Sequence, residues 1–317
     1  MRDLYEHLAP LNQTVVGGGA YSVGVGGYLT GGGHSILSAR YGLAADQVLE
    51  IELVTPQGRI LVANECQNKD LFWAMRGVRL PPIRVLARTN TKQGGGSTFG
   101  VLTSVTLKTY PSPSMLHNDF FLAAAVNEPR IWDAIAYIYS QFPALAKQGL
   151  SAYTFVVPVY PNPLGSDPPY VSGMFGRAVL QDTADAARMD GLFAPILAHI
   201  NATWPGAVNY TSIVTHYPSF LDWYRVNYDD GTAGADAMLA SRLLDERALT
   251  ANVTALRHAV YTASLNPGGL QAHLVSGPGV HDAKPRGGSD AVGPAWRTAY
   301  LHTSEFSAST LDTERLG

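Results

Sequence analysis

The chain has 317 residues, 46% of them hydrophobic, and a formal net charge of -3 with a sequence pI of about 6.3. Its length and apolar content allow one or two buried cores. No basic stripe is available to neutralise phosphates, and no apolar run approaches the length of a membrane span. These features argue against nucleic-acid and membrane partners. The first ten residues lack the apolar centre of a secretory signal, and the sequence leaves the localisation open.

A glycine-dense passage between Val15 and Val54 is the most informative part of the sequence. Two glycine clusters, at positions 24–27 and 31–33, flank a short apolar step. Glycine lets the backbone approach a ligand where a Cβ would collide, and it frees N–H groups to point at anionic oxygens. The passage therefore predicts a nucleotide cofactor. A glycine-rich linker is the alternative, but linkers do not lead straight into a patterned strand.

Three common motifs do not match this passage. The dinucleotide fingerprint G-x-G-x-x-G would need glycine where Leu29 stands, and we do not expect a helix to begin between the two clusters. A phosphate loop would need Lys-Ser/Thr after Gly31, and a serine-hydrolase elbow would need a second glycine after Ser35. The class of cofactor therefore depends on other features.

The segment from Val48 to Tyr110 predicts the order strand, turn, strand, helix, strand. Alternating apolar residues indicate the first strand, and a Thr-Pro-Gln-Gly turn at 55–58 leads into a partner strand at 59–63. We expect Asn68 to cap the short helix and the final strand to start near Val101.

After Pro113 the composition changes, and strand-like apolar runs alternate with helical stretches. The predicted strands lie at 119–125, 152–160, 170–180 and 273–276. The predicted helices lie at 129–139, 183–199 and 239–263. This alternation predicts one sheet with helices on one of its faces.

Some expectations concern single sites. Cys66 is the one cysteine, which excludes an internal disulfide framework, and we expect it to be partly buried. Asp46 is expected to anchor its loop. The motifs Asp222-Trp223-Tyr224 and Tyr228-Asp229-Asp230 are expected to be solvated helix ends.

The glycine passage and its continuation resemble the second half of the FAD-binding domain of the vanillyl-alcohol-oxidase/PCMH-type flavoproteins. The nearest branch is that of the berberine-bridge-enzyme-like oxidases. The matching motifs are Ser22-Val23-Gly24-Val25-Gly26-Gly27-Tyr28, Gly31-Gly32-Gly33-His34-Ser35, Tyr41-Gly42-Leu43-Ala44-Ala45-Asp46, Asp70-Leu71-Phe72-Trp73-Ala74-Met75-Arg76-Gly77 and Gly94-Gly95-Gly96-Ser97-Thr98-Phe99-Gly100-Val101. These motifs are long, ordered and correctly spaced over about residues 14–113.

The resemblance implies a fold class, two domains and a chemistry. The implied fold is α+β, with part of a PCMH-type FAD-binding domain at residues 1–113 and a substrate domain at 114–317. The substrate domain would have a mainly antiparallel sheet covered by helices. The implied cofactor is FAD, which would take hydride from a carbohydrate or a small secondary metabolite and would be reoxidised by dioxygen. Relatives of this kind are often secreted.

The resemblance also places the cofactor contacts. The residues assigned to FAD are Gly26, Gly27, Gly31, Gly32, Gly33, His34, Ser35, Tyr41, Gly42, Gly100 and Val101. The glycine turns would donate backbone N–H groups to pyrophosphate or ring oxygens. Two of these residues also have ordinary structural interpretations: His34 would satisfy a neighbouring carbonyl, and Tyr41 would pack as an aromatic. No catalytic base is assigned, although tyrosines are abundant in the second half, and no metal is expected.

Four departures from the family pattern bear on these expectations, the fourth being an insert at Val78–Gln93. Nothing before Val15 resembles the N-terminal FAD subdomain of relatives, which supplies a second phosphate-binding loop. Ala20 stands where some relatives carry a flavin-linking cysteine, and this excludes a cysteinyl bond there. The Tyr/Asn-rich segment that relatives carry near their C-terminus is not found after Trp296, so we expect a truncated substrate domain.

An insert at Val78–Gln93 interrupts one family motif, and its removal joins Gly77 to Gly94 in frame. Val78 requires a GTN codon, Gln93 can end in AG, and the residues at 89–91 can encode a branch signal. These features indicate a translated, unspliced intron. The alternative is a basic loop that grips an anion. Its cationic residues would be Arg79, Arg84, Arg88 and Lys92.

Two other functions stay open from the sequence. A truncated or mispredicted gene product would be catalytically inactive and would bind flavin weakly or not at all. A carbohydrate- or partner-binding module that reuses the substrate domain has no positive feature in the sequence. Bound flavin in the purified protein would favour the oxidoreductase.

Overall fold

The computed structural model describes residues 1–79, 94–162, 165, 167–231, 238–266 and 268–307. The helices of this part of the chain are α1 (Arg2–Leu8), α2 (Val25–Thr30), α3 (Ser38–Tyr41), α4 (Lys69–Ala74), α5 (Arg130–Lys147), α6 (Ala186–Thr203), α7 (Phe220–Asn227), α8 (Glu246–Thr250), α9 (Val253–Ser264) and α10 (Pro278–His281). The strands are β1 (Gln13–Thr14), β2 (Val48–Val54), β3 (Ile60–Asn64), β4 (Val78–Arg79), β5 (Gly94–Gly95), β6 (Val101–Leu107), β7 (Tyr110–Pro111), β8 (Met115–Ala125), β9 (Ser151–Pro161), β10 (Tyr170–Gln181), β11 (Asn209–Tyr217), β12 (Met238–Asp245), β13 (Leu270–Leu274) and β14 (Ala299–Ser307).

A three-stranded antiparallel sheet in the order β3–β2–β6 forms the centre of the N-terminal part. In β2, Ile51 and Leu53 are buried, whereas Glu50 and Glu52 on the opposite face are only partly covered. Two-residue alternation of this kind places successive side chains on opposite faces of a sheet. The predicted order strand, turn, strand, helix, strand is confirmed.

A seven-stranded antiparallel sheet in the order β11–β8–β10–β9–β13–β14–β12 organises the rest of the chain. Helices α5, α6 and α9 cover one face of it, and their apolar residues share one core with the sheet. In α5, Ile131, Ile135, Ile138 and Phe142 are buried and recur every three or four residues, which places them on one side of a helix. The predicted α+β fold, with helices on a mainly antiparallel sheet, is confirmed.

The segment between the two glycine clusters differs from its prediction. A helix does begin there, since α2 starts after Gly24 and ends at Thr30. The Thr30 hydroxyl donates to the Gly26 carbonyl oxygen at 3.0 Å, and the Gly31 N–H donates to the Gly27 carbonyl at 3.1 Å. Glycine is a weak helix former, and these contacts compensate for its low propensity within a short helix.

The predicted helix at 239–263 is correct only in its second half. Residues 238–245 form strand β12, which pairs with β14 along its length, and helices α8 and α9 follow. The sequence MLASRLLD consists largely of good helix formers, so pairing with β14 overrides the local preference. The edge strand β11 and strand β14 were also missed, because their alternation is largely polar.

Several single-site expectations are corrected. Trp223 and Tyr224 are 2% and 0% exposed, so the motif at 222–224 is part of the core and not a solvated helix end. Cys66 is exposed, not partly buried. Asn68 precedes α4 as predicted, but its side chain donates to the Val62 carbonyl at 2.7 Å and makes no cap.

The insert at 78–93 lies outside the described residues except for its first two positions. There β4 pairs with β5 in antiparallel register, Val78 with Gly95 and Arg79 with Gly94, so the two ends of the insert meet. The intron and anion-loop interpretations both concern residues that the structure does not describe. No helix among the described residues is both long enough and apolar enough to span a membrane.

Candidate functional site

A cavity of about 910 Å³ lies between residues 18–34 and one face of the large sheet. This is the face that α5, α6 and α9 do not cover. One wall is formed by Gly18, Gly19, Ala20 and Tyr28, together with His34. The opposite wall is formed by strands β8, β9, β10, β11 and β13. This volume is within the range of sites for cofactors and drug-sized ligands.

The wall at 18–23 is held from both sides. The Tyr5 hydroxyl donates to the Gly18 carbonyl at 3.1 Å, and the N-terminal ammonium donates to the Val23 carbonyl at 3.0 Å. On the other side, the Asp229 N–H donates to the Gly19 carbonyl at 3.1 Å. Backbone hydrogen bonds to two separate elements hold this stretch in place beside the cavity.

The second glycine cluster serves the turn that carries His34 into the cavity wall. Gly32 and Gly33 have φ values of +106° and +71°, which favour glycine. A Cβ on Gly33 would lie 2.8 Å from the Tyr28 ring and from the Ala44 side chain. The Tyr28 hydroxyl donates to the His34 carbonyl at 2.8 Å and closes the turn.

Of the residues assigned to the cofactor, His34 alone is among those that line this cavity. Gly26 and Gly27 belong to α2, and a Cβ on Gly27 would meet open space. Ser35 is fully buried, and its Oγ accepts from the Leu37 N–H at 3.2 Å, which is a structural role.

The remaining assigned residues lie away from the cavity wall. The Tyr41 ring packs on Tyr110 with centroids 4.2 Å apart, and a Cβ on Gly42 would come within 3.3 Å of the Gly279 carbonyl oxygen. Gly100 is pressed against β2, where a Cβ would lie 2.8 Å from the Val54 carbonyl oxygen. Val101 is 68% exposed. Asp46 anchors its loop as predicted, by accepting the Leu43 N–H at 2.7 Å.

A single row of side chains crosses the large sheet at the level of the cavity. Antiparallel register places Asp119 beside Arg177, Arg177 beside Tyr153, Tyr153 beside His273 and His273 beside His302. Directly opposed residues share a face of the sheet, so these ionisable groups project to the same side.

The histidine end of this row meets the glycine passage. The His34 ring lies 6.0 Å from His273 and 5.2 Å from His302, centroid to centroid, and it stacks on Trp296 at 6.2 Å. The Tyr153 ring lies 4.8 Å from His273. In all three histidines, Nδ1 is buried without a hydrogen-bond partner in the structure.

Burial determines the protonation of this group. It lowers the pKa of His34 well below the ordinary value, and the neighbouring His302 and His273 lower it further. Burial, with a contribution from His302, lowers the pKa of His273 to about 3, and burial also lowers the pKa of His302. Burial raises the pKa of the Tyr153 hydroxyl. The site therefore offers neutral imidazoles beside a protonated phenol at neutral pH.

Sequence reasoning missed most of these residues. The sequence shows only that tyrosines are abundant in the second half, and nothing in it singles out His273, His302 or Asp119. Each is a single polar residue on a strand, and the strands are distant in sequence. Their alignment depends on the pairing order of the sheet, which no local spacing reveals.

The wall residues fit a flavin nucleotide. Gly18, Gly19 and Ala20 present at most a methyl group to the cavity, and a Cβ on Gly19 would approach only Tyr153, at 3.9 Å. The His34 and His273 side chains are polar members of the same lining. A planar ring system with polar edges suits such a wall.

Comparisons with known proteins point to the same cofactor. A model of the FAD binding domain matches residues 1–64. An uncharacterised FAD-linked oxidoreductase of Arthroderma benhamiae is 33% identical over 315 residues, which cover 95% of this chain and 49% of that protein. A VAO-type flavoprotein from Myceliophthora thermophila C1 has a TM-score of 0.79 and 28% identity, covering 96% of this chain and 50% of that one.

A more distant structure shares the fold. The BBE-like 1 protein of Physcomitrella patens has a TM-score of 0.68 at 19% identity, covering 99% of this chain and 61% of that one. The chain spans about half the length of the curated relatives it matches. The matched family model and the relatives are described as FAD-binding or FAD-linked. The chain belongs to the vanillyl-alcohol-oxidase/PCMH-type superfamily of flavoproteins, which includes the berberine-bridge-enzyme-like proteins.

Proposed function

We propose that the protein is an FAD-dependent oxidoreductase that oxidises a small molecule in the cavity between the glycine passage and the large sheet. The observation that carries this proposal is the meeting of His34, His273 and Tyr153 on opposite walls of one cavity. A carbohydrate or a small secondary metabolite is the proposed substrate, and dioxygen is the proposed final electron acceptor.

The proposed division of the chain follows the two walls. Residues 1–113 contribute part of the FAD-binding domain, and residues 114–317 contribute the substrate domain. The cofactor contacts are proposed at His34 and along the backbone of the assigned glycines. The wall at Gly18, Gly19 and Ala20 adds contacts that the motif assignment did not include.

His273 is the proposed proton acceptor. Its imidazole is 9% exposed, faces the cavity and is neutral at physiological pH because burial lowers its pKa to about 3. A neutral imidazole has a free ring nitrogen that can accept a hydroxyl proton. With a pKa of about 3, His273 would take that proton only as hydride leaves and the hydroxyl becomes acidic. The Tyr153 hydroxyl stays protonated and is available to orient a substrate oxygen.

His302 and Trp296 act behind these residues. The Trp296 ring lies 5.3 Å from the His302 ring, and neither is among the residues that line the cavity. Their packing against His34 and His273 keeps the imidazoles in place and excludes water. Bound FAD would supply the acceptor for the hydride, and the protein groups would supply binding, orientation and proton transfer.

The proposal is tested by anaerobic reduction of the bound flavin. Purified protein loaded with FAD is mixed with a panel of oligosaccharides and secondary alcohols, and the flavin absorbance is followed. We expect at least one compound to bleach the flavin and air to restore the colour with release of hydrogen peroxide. Protein that stays colourless after FAD is added would support an inactive gene product instead.

A further inference from the structure

The ionisable row ends at Asp119 on the side opposite the three histidines, and the surroundings of Asp119 differ from theirs. Asp119 lies on β8 and His273 on β13, three strand positions apart in the order β8–β10–β9–β13. Neighbouring strands are about 4.8 Å apart, so the two side chains are rooted roughly 14 Å from each other. Both line the cavity, so a ligand that extends along the row would contact both.

Asp119 is held by two side chains behind it. The Trp223 Nε1–H donates to His117 Nδ1 at 2.8 Å, and His117 Nε2 lies 3.0 Å from Asp119 Oδ2. Because Nδ1 accepts, the ring proton is on Nε2, facing the carboxylate. Trp223 and His117 are 2% and 0% exposed, so this pair is fixed by the core. The close contact with His117 is the main reason that the pKa of Asp119 is lowered.

Asp119 lies in the lining of the cavity, with its second oxygen, Oδ1, beside Arg177. The nearest cation is the Arg177 Nε, 3.7 Å from Oδ1, and the Arg177 Nη1–H donates instead to the Asn227 carbonyl at 3.0 Å. Among the described residues, none donates a hydrogen bond to Oδ1. The Asp119 side chain is 57% exposed, within the lining of the cavity.

The charge around this end of the cavity is unbalanced. Among the described residues that line the cavity, Asp119, Asp229 and Asp230 carry carboxylates and Arg177 carries a guanidinium. Three negative charges and one positive charge leave a formal excess of two negative charges. Such an end attracts a cation and repels an anion.

Aromatic faces adjoin the carboxylate. Phe155 and Phe175 stack with centroids 5.0 Å apart, one level along the strands from Tyr153 and Arg177, and Tyr160 lies 5.7 Å from Phe175. All three aromatic residues line the cavity. A carboxylate beside aromatic faces is the environment that recognises alkylammonium groups.

We propose that Asp119 anchors a second subsite, which takes a protonated amine at the end of the substrate remote from the carbon that reacts. In this arrangement the charged nitrogen serves recognition and is not itself oxidised. It lies about 10–14 Å from the reacting carbon, which is two to three strand spacings. This inference rests on the proposed function for the position of the reacting carbon. His117 and Trp223 are positioning residues that hold the Asp119 carboxylate towards the cavity.

The test is equilibrium binding without turnover, measured by calorimetry on the full chain with and without saturating FAD. The probes are 4-phenylbutylamine, the neutral 4-phenylbutan-1-ol and 4-phenylbutyrate, which share one shape. We expect the amine to bind about 10- to 100-fold more tightly than the alcohol, as for a charge-assisted hydrogen bond. The carboxylate should bind most weakly, and the preference for the amine should fall as salt is added.

Asp119→Asn preserves the size of the side chain and removes its charge. In this variant the amine should bind no more tightly than the alcohol. The matched control is Asp190→Asn on the exposed side of α6, which should retain the full preference. Thermal melts establish that both variants fold. Equal affinities for amine and alcohol in the unmodified chain, tighter binding of the carboxylate, or an unchanged preference in Asp119→Asn would each overturn the proposal.

These outcomes are distinguishable from a failure of the proposed function. If the chain binds no FAD but shows the amine preference, the subsite stands and the oxidoreductase assignment does not. If FAD binds and is reduced but the preference is absent, the subsite alone is wrong.

Discussion

Three buried imidazoles at the meeting of two walls define the chemistry at the scale of single residues. Burial lowers the pKa of His34, His273 and His302. Charge on His302 would lower the pKa of the other two further. The three imidazoles therefore stay uncharged near neutral pH. A site of this kind accepts a proton only when substrate binding or a negative charge nearby favours it.

His273→Gln tests the proposed proton acceptor. Loss of a positioned general base typically slows the chemical step by about 10²- to 10⁴-fold. We expect the rate of anaerobic flavin reduction to fall by that factor, while the FAD dissociation constant changes little. His199→Gln, at an exposed position on α6, is the matched histidine control. Equal reduction rates in His273→Gln and the unmodified protein would remove His273 from the mechanism.

Asp290 predicts an unusual dependence of stability on pH. Arg297 Nη2 donates to Asp46 Oδ1 at 2.7 Å and to Asp290 Oδ1 at 3.0 Å, and both carboxylates are nearly inaccessible. Burial, and then the charge of Asp46, raise the pKa of Asp290 to about 7. The folded protein therefore holds this proton more tightly than the unfolded chain does.

Because the folded pKa is raised, the stability from this group is complete below about pH 4 and is lost as the pH rises to 7. For one proton, the free energy of unfolding falls by at most about 1.4 kcal/mol per pH unit. Asp290→Asn removes the titration, so its free energy of unfolding should depend less on pH across this window. Urea unfolding at pH 4.5, 5.5 and 7 measures the difference, and parallel profiles for the two proteins would contradict it.

The residues that the sequence revealed are those within one contiguous motif. His34 was found because the glycines around it have a recognisable spacing, and Asp46 because it lies in a short loop. Tyr153, His273 and Asp119 are brought together by strand order, and a polar residue on a strand has no signature by itself. Motif residues such as Tyr41 and Gly100 serve packing and not the cavity wall.

At the scale of elements, the β4–β5 pair is the place where the chain tolerates change. Its strands bring the two ends of the insert together, and we expect the flanking structure to form without the intervening residues. We expect replacement of residues 80–93 by Asn-Gly, a favoured two-residue hairpin turn, to preserve the fold. Shortening the loop should raise the free energy of unfolding by roughly 1–2 kcal/mol.

Urea unfolding and FAD titration of this replacement distinguish the two interpretations of the insert. An unspliced intron predicts unchanged FAD affinity, whereas an anion-gripping loop predicts weaker binding. Restoring the loop with its arginines and lysine changed to serine is the matched control for charge. Collapse of the fold on replacement would show that the insert is a structural element.

The elements that the sequence predicted well are those with a strong local period. Strand β2 alternates every second residue and α5 repeats every three or four, and both were found. Strand β12 was predicted as helix because its residues favour helix, and only its partner β14 makes it a strand. Helix α2 was missed because glycine-rich segments rarely form helices without tertiary support.

At the scale of the whole molecule, the cavity exists because two parts of the chain are joined at several points. The Met1 ammonium and the Tyr5 hydroxyl hold the glycine-rich wall from within the N-terminal part. The Asp229 N–H donates to the Gly19 carbonyl, and the Arg297 guanidinium donates to the Asp46 carboxylate, so these two bonds connect the N-terminal part to the rest of the chain. Such contacts were not predictable, since each joins residues distant in sequence. The division of the chain near Pro113 stays a prediction, based on the composition change there and on the family motifs.

The most direct test of the account is an FAD titration of the purified chain, followed by quenching of flavin fluorescence. One FAD should bind per chain, and Gly19→Leu should weaken binding at least about 10-fold, because its side chain enters the cavity where a Cβ has room. Gly191→Leu, at an open position on α6, is the control and should bind as the unmodified chain does. No binding at all, or equal affinity in Gly19→Leu, would contradict the location of the cofactor in this cavity.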